Sequence, residues 1–190
     1  MTLADGSQIR VRRASPNDAP ALGVVGPAAY AEAYASFWDQ PSAYLRQLAT
    51  FGEAAFRACL EGDAARVWVA EAQGDILGFL IMNPQTPDPV TNRPGGAELA
   101  RVYVLGPARR LGVGRRLLCA AIEEAAAAGC AYVWLHVLAA ADWARRAYVR
   151  WGFSELGATE FTGGVADGFA GMIVMSKAVG QARRADGDSV

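Results

Sequence analysis

Lysine, histidine and cysteine are nearly missing from this chain: one lysine, one histidine and three cysteines among 190 residues. Lys177, the sole lysine, does not stand in a Gly-Lys-Ser/Thr run, which removes the Walker type of phosphate loop. Cys59, Cys119 and Cys130 are too few and too scattered for a disulfide framework. With one histidine and no Cys-x-x-Cys, no credible set of zinc ligands is present, and no metal is expected. Excess charge is also missing. A formal net charge of −1 argues against nucleic acid as the main partner, because a surface built for it normally makes a domain basic. No apolar run reaches the length that spans a bilayer. Met1 leads into Thr2-Leu3-Ala4-Asp5-Gly6 without the basic and apolar segments of a signal peptide, and no internal repeat is found. The expectation is a cytoplasmic protein with neither nucleic acid nor membrane as partner.

What is present is a chain 53% hydrophobic and 19% charged, an ordinary globular composition and long enough for one domain with a sizeable core. It is organised around Ala97 to Gly129, AELARVYVLGPARRLGVGRRLLCAAIEEAAAAG. Val102-Tyr103-Val104 predicts a strand that Gly106-Pro107 ends. Val113, Leu117, Leu118, Ala121, Ile122 and Ala125 recur three or four apart and predict an amphipathic helix, capped by Gly129. Its charges run against the helix dipole: Arg109, Arg110, Arg115 and Arg116 crowd the positive end, and Glu123 and Glu124 lie toward the negative one. Each misplacement costs from tenths of a kcal/mol to about 1 kcal/mol. Four arginines beside free backbone N–H groups therefore read as a seat for a polyanion. Gly112 and Gly114 remove side chains where a phosphate presses on the backbone, so the amides of Leu111 to Arg115 can face it. A solvated basic turn whose glycines serve only the bend is the alternative. A dinucleotide fingerprint fits poorly, because Leu117 stands where its third glycine belongs.

In this setting Arg109-Arg110-Leu111-Gly112-Val113-Gly114 resembles the Arg/Gln-x-x-Gly-x-Gly/Ala signature of GNAT N-acetyltransferases. A following strand at Tyr132 to Leu138, and a helix ending in Ala144-x-x-x-Tyr148-x-x-x-Gly152-Phe153, extend the resemblance over Ile9 to Ala178. It implies that Arg109, Arg110, Leu111, Gly112, Val113, Gly114 and Arg115 hold the pyrophosphate of acetyl-CoA. It also implies that the backbone of Val102, Tyr103 and Val104 pairs with the pantetheine amides as an added strand does. The strands ending near Leu105 and Leu138 would splay apart to admit that arm.

Along the rest of the chain, Ile9 to Arg13 reads as a first strand and Ser15-Pro16 as the start of a helix. Asn17 to Trp38 reads as helical with a break at Gly23, Gly26 and Pro27. Pro41-Ser42 opens further helix through Leu60. Tyr30, Tyr34, Phe37 and Trp38 are taken as core packing, although the resemblance sets this region over the acceptor site. Arg66 to Ala72 and Ile76 to Asn83 form a hairpin about Gln73-Gly74-Asp75. The proline-rich Asn83 to Gly96 is read as an exposed loop, with a substrate lid as the alternative. Asp142 is the N-cap of a helix through Trp151. Phe153 to Thr162, a Gly163-Gly164 turn and a strand at Met172 to Ser176 complete an α/β (α+β) single domain, a mixed and largely antiparallel sheet with helices on both faces. Residues 1–8 are read as a flexible N-terminus, 9–179 as the acetyltransferase domain and 180–190 as a disordered tail.

Acetyl transfer to an amine meets a protonation problem. A lysine-like amine of pKa near 10.4 is neutral about once in 2,500 at pH 7, a cost of roughly 4.6 kcal/mol. Glu98, eleven residues before Arg109, stands where several members of the family keep a glutamate acting directly or through water. Simple alternation gives it a strand face with Ala100, Val102 and Val104. His136 is the rival base. Tyr148 matches the family's general-acid tyrosine, which protonates the leaving thiolate, whereas a core aromatic beside Trp143, Ala147 and Trp151 is the other reading. Direct attack on the thioester suits the lack of a Cys/His nucleophile pair. Ala141 departs from the asparagine common seven residues before that tyrosine. AELARVYV, VWLHV and Tyr148 to Lys177 are similar to small bacterial polyamine acetyltransferases. A polycation calls for carboxylates, which Glu32, Asp39, Glu53 and Glu61 supply if their helices turn that way. The expected acceptor is thus a small-molecule primary amine, a polyamine or similar, with a protein α-amine or lysine as the rival. A non-catalytic acyl-CoA sensor is the alternative of another class, and a homodimer is left open.

Overall fold

The computed structural model describes residues 9–162, 165–166 and 168–180. The N-terminal and C-terminal segments read from sequence as flexible, apart from Gly180, and the Gly163-Gly164 turn lie outside them.

In chain order the elements are β1 (Arg10–Arg13), α1 (Ala19–Tyr34), α2 (Pro41–Ala49), α3 (Glu53–Glu61), β2 (Arg66–Ala72), β3 (Asp75–Asn83), β4 (Gly96–Val104), α4 (Val113–Ala127), β5 (Tyr132–Leu138), α5 (Asp142–Arg150), β6 (Ser154–Glu160) and β7 (Gly171–Ala178). The strands form one seven-stranded sheet in the order β1-β2-β3-β4-β5-β7-β6. Every neighbouring pair is antiparallel except β4 and β5, which run parallel. Among the described residues no helix is long and apolar enough to cross a membrane.

Strand alternation splits the core into two layers. Trp68, Ala70, Leu80 and Val133 face one side, where Val113, Leu117, Leu118, Ala121 and Ala125 of α4 cover them. Val67, Val69, Phe79 and Ile81 face the other, under Leu22, Tyr30, Phe51 and Phe56 of the N-terminal helical region. Phe51 and Phe56 are each 1% exposed, and burial of a side chain of that size contributes about 1.5–3 kcal/mol.

Helix α1 runs unbroken through Pro27, against the expected interruption. Its glycines serve close approach instead. A Cβ on Gly23 would lie 2.7 Å from the Glu53 backbone nitrogen, and one on Gly26 would lie 2.8 Å from the Phe56 ring. Packing against α3 and the sheet offsets the helical hydrogen bond that Pro27 withholds. At the far end of α4, Gly129 adopts φ +74 and the amides of Gly129 and Cys130 donate to Ala126 and Ala125, a Schellman cap.

Two local features reposition residues that simple patterning misplaces. The β3–β4 register shifts between Ile81 and Met82, which pair with Arg101 and Leu99 and leave Ala100 as an extra residue. Glu98 therefore shares its face with Arg101 and Tyr103, not with Val102 and Val104. Asp142 is the first helical residue rather than the cap; Ala141, fully buried, holds the cap position with no side-chain hydrogen bond. The Asp142 carboxylate instead accepts from Arg145 at 3.4 Å.

Candidate active site

Strands β4 and β5 pair only at Gly96–Tyr132, Ala97–Val133 and Glu98–Trp134. Beyond Glu98 they part, and α5 closes the far side of the opening. The resulting cleft, about 240 Å³, is walled by Val102, Tyr103 and Val104 of β4, by Trp143, Tyr148 and Arg150 of α5, and by Tyr34 of α1. Gly112, Gly114 and Arg115 at the start of α4 line its mouth.

The backbone at that mouth is shaped by its sequence. A 3-10 turn over Gly106–Leu111 ends at Gly112, whose φ of +75 is the left-handed conformation that glycine adopts without steric cost. The Arg116 amide donates to the Gly112 carbonyl at 3.1 Å and closes the first turn of α4. The amides of Val113, Gly114 and Arg115 precede it, at the helix end where N–H groups have no intrahelical partner. A Cβ on Gly114 would reach into the cleft, 3.3 Å from Trp151 Cη2 and 3.9 Å from Val104 Cγ2. The turn is thus a cradle that a side chain would partly fill, and it fits a diphosphate.

The arginines divide. Arg109 lies along the cleft, donating to the Val104 carbonyl at 3.2 Å and to Glu32 at 3.5 Å. Glu32 also accepts from the Gly106 amide at 2.6 Å. Arg115 lines the cleft, whereas Arg110 is exposed outside its wall. Arg116 turns back to the Ile9 carbonyl at 2.9 Å. Leu111 packs against the core and Val113 is fully buried within it, so each can offer a ligand only backbone.

Tyr148 stands in the cleft wall, its ring edge-on to Trp151 and Phe153. Burial, with Tyr34 nearby, pushes its phenol pKa above the usual 10, so it stays protonated at neutral pH. Burial likewise pushes Tyr34 up to about 12.

A side chamber of about 90 Å³ adjoins the cleft, with Tyr34 and Tyr103 lining both. Tyr30, Leu138, Phe161 and Met172 add further apolar wall, and Gln47 and His136 are its other polar members. Burial lowers the His136 pKa, against an opposing pull from the Glu98 carboxylate. Glu98 lines neither space. It accepts a hydrogen bond from Asn83 Nδ2 at 2.8 Å, at the point where the two strands separate.

The sheet and site geometry has a counterpart in known proteins. Residues 29–153 match the model of the acetyltransferase (GNAT) family. The chain belongs to that family. It is a GNAT acetyltransferase, and the mixed sheet, the parted strands and the glycine turn are that fold as this sequence builds it.

Among solved structures, the chain is similar to the PaiA N-acetyltransferase from Thermoplasma acidophilum in complex with coenzyme A (TM-score 0.72, 18% identity, 90% of this chain and 98% of that one). It is also similar to ribosomal-protein-alanine N-acetyltransferase from Brucella melitensis (0.64, 25%, 89% and 99%). A third is yncA from Salmonella typhimurium with its cofactor acetyl-CoA (0.64, 20%, 95% and 99%). A comparison with curated proteins gives no match.

Sequence reading missed several cleft residues of this acetyltransferase. Tyr34 packs against both layers of the core as expected, and it also borders both spaces; Tyr30 is buried, accepting from Trp38 Nε1 at 3.2 Å. Trp143 and Arg150, seven residues apart on α5, share its cleft-facing side, and the helical spacing to Tyr148 and Ala147 was the available signal. The four acidic residues expected around a polycation do not reach the side chamber: Glu32 holds Gly106 and Arg109, Glu53 pairs with Arg57, and Asp39 and Glu61 are exposed elsewhere. The loop before β4 lines neither space. Buried Asp88 anchors it, accepting from Thr91 and Tyr132.

Proposed function

We propose that this GNAT enzyme transfers the acetyl group of acetyl-CoA to the primary amine of a small molecule by direct attack, the cleft taking the donor and the side chamber the acceptor. The observation that carries this reading is the parting of β4 from β5 immediately beyond Glu98, which leaves one β4 edge without a strand partner beside Tyr148.

In this reading Arg109, Arg110 and Arg115 and the backbone of Leu111, Gly112, Val113 and Gly114 receive the diphosphate of the donor, where the dipole of α4 favours negative charge. The free edge of Val102, Tyr103 and Val104 receives the pantetheine amides, which aims the thioester toward the end of the cleft shared with the side chamber. The acceptor nitrogen forms its bond to the acetyl carbon while the carbon–sulfur bond breaks. The departing thiolate takes its proton from the Tyr148 hydroxyl, which its buried setting keeps protonated until then. The proton released by the amine passes to His136, a solvent-accessible strand residue whose partial desolvation lowers its pKa and keeps it neutral at pH 7. Glu98 stands behind His136 and steadies the imidazolium that forms. No enzyme-bound acyl intermediate is required, since the chain holds the two reactants side by side.

Thiol release from acetyl-CoA with a panel of amines tests the proposal. Amine-dependent release with a small monoamine supports it. Release only with peptide substrates favours a protein acceptor, and coenzyme A binding without release favours a sensor.

A further inference from the structure

Beyond the assignment of the side chamber to the acceptor, on which this step rests, the wall of that chamber specifies what kind of amine enters. Its apolar surface includes the rings of Tyr30, Tyr34 and Tyr103 and the side chains of Leu138, Phe161 and Met172. The three tyrosine rings form one cluster, with centroids 5.2, 5.7 and 6.2 Å apart. No carboxylate lines the chamber among the described residues. Glu98, the carboxylate whose charge acts on His136, is held by Asn83 and lies outside the wall.

We infer that the acceptor is a compact monoamine carrying an aromatic or bulky apolar group, of the arylalkylamine class, and not a polyamine. A polyamine brings two or more ammonium charges, and each charge taken from water without a carboxylate partner is strongly disfavoured. A monoamine brings one, which must be lost in any case before attack. An apolar chamber disfavours the ammonium form, so the form of the amine that it holds is the neutral one that attacks. Finally, the tyrosine cluster offers ring faces and edges against which an aromatic body packs. Gln47 and His136, polar groups of the wall beside the tyrosine hydroxyls, suit a single nitrogen that enters charged and reacts neutral.

The test is thiol release from acetyl-CoA with 2-phenylethylamine, spermidine, putrescine and a short peptide with an N-terminal alanine, run beside calorimetric titration with coenzyme A. The expected result is a kcat/KM for 2-phenylethylamine at least about tenfold above that for any other member of the panel. The Gln47→Glu variant, which puts a carboxylate in the wall, should move the ratio of spermidine to 2-phenylethylamine turnover at least about tenfold toward spermidine. A wild-type preference for spermidine, putrescine or the peptide overturns the inference. So does the absence of turnover with 2-phenylethylamine in a protein that binds coenzyme A, a result that leaves the donor half of the reading standing. Failure to bind coenzyme A overturns both.

Discussion

The rings of Tyr34 and Tyr103 meet edge to face with centroids 6.2 Å apart, and both side chains border the cleft and the side chamber. One comes from the last turn of α1 and the other from β4, so the N-terminal helices and the central sheet together make the partition between the two spaces. Tyr34→Ala should merge them. The expected outcome is a stability loss of about 2–3 kcal/mol, below the range for a fully buried aromatic because the ring is half-buried. Turnover should fall at least tenfold, while Tyr34→Phe keeps most of both; urea unfolding and thiol release measure the two effects.

Tyr148→Phe removes the hydroxyl and leaves the ring against Trp151 and Phe153. Turnover is expected to fall by roughly a factor of 100, the lower end for loss of a positioned acid. Affinity for coenzyme A, measured by calorimetry, should change less than twofold. Equal losses in turnover and affinity would make Tyr148 a packing residue.

The two cradle glycines act for different reasons and should fail differently. Gly112 has open space around its Cβ position but a φ of +75, so Gly112→Ala should cost about 1 kcal/mol of stability through backbone strain. Gly114 is helical, and its substitution by alanine crowds Trp151 and the cleft instead. Gly114→Ala should weaken coenzyme A binding with little change in melting temperature. Thermal melts and titrations on both variants separate the effects.

How much of this was legible in the sequence depends on the scale at which each residue is fixed. The glycine turn, the α4 stripe and the β5 alternation of Val133, Leu135 and Val137 were readable because local geometry determines them. The break expected in α1 was wrong because Gly23 and Gly26 answer to a partner helix about thirty residues away, which no local pattern reports. Glu98 changed face because one extra residue, Ala100, bulges from β4 against β3, and a strand read with period two carries no sign of it. The aromatic chamber was invisible for a similar reason: Tyr30 and Tyr34, Tyr103, and Phe161 come from three separated stretches that only the fold brings together.

Acid stability should report a contact remote from the cleft. Arg12 clasps the Asp18 carboxylate through two 2.8 Å hydrogen bonds, and the Ser15 amide adds a third at 2.7 Å. These hold the Asp18 pKa down to about 2 from an ordinary 3.8. A depressed carboxylate stabilises the fold above its unfolded pKa, and that contribution is lost as pH falls from about 4 through about 2. Asp18→Asn should therefore cost up to about 2 kcal/mol at pH 7, and the difference from wild type should close near pH 2. Urea unfolding at both pH values checks it.

The central claim is that the glycine turn before α4 seats the diphosphate of the donor and so aims a thioester between the parted strands. Calorimetric titration of the folded chain with coenzyme A, beside a variant carrying Arg109→Ala, Arg110→Ala and Arg115→Ala, tests it most directly. The account predicts saturable binding at one site per chain, weakened at least tenfold in a variant that melts within a few degrees of wild type. No binding heat with the wild-type chain, or equal affinity in the two proteins, would contradict it.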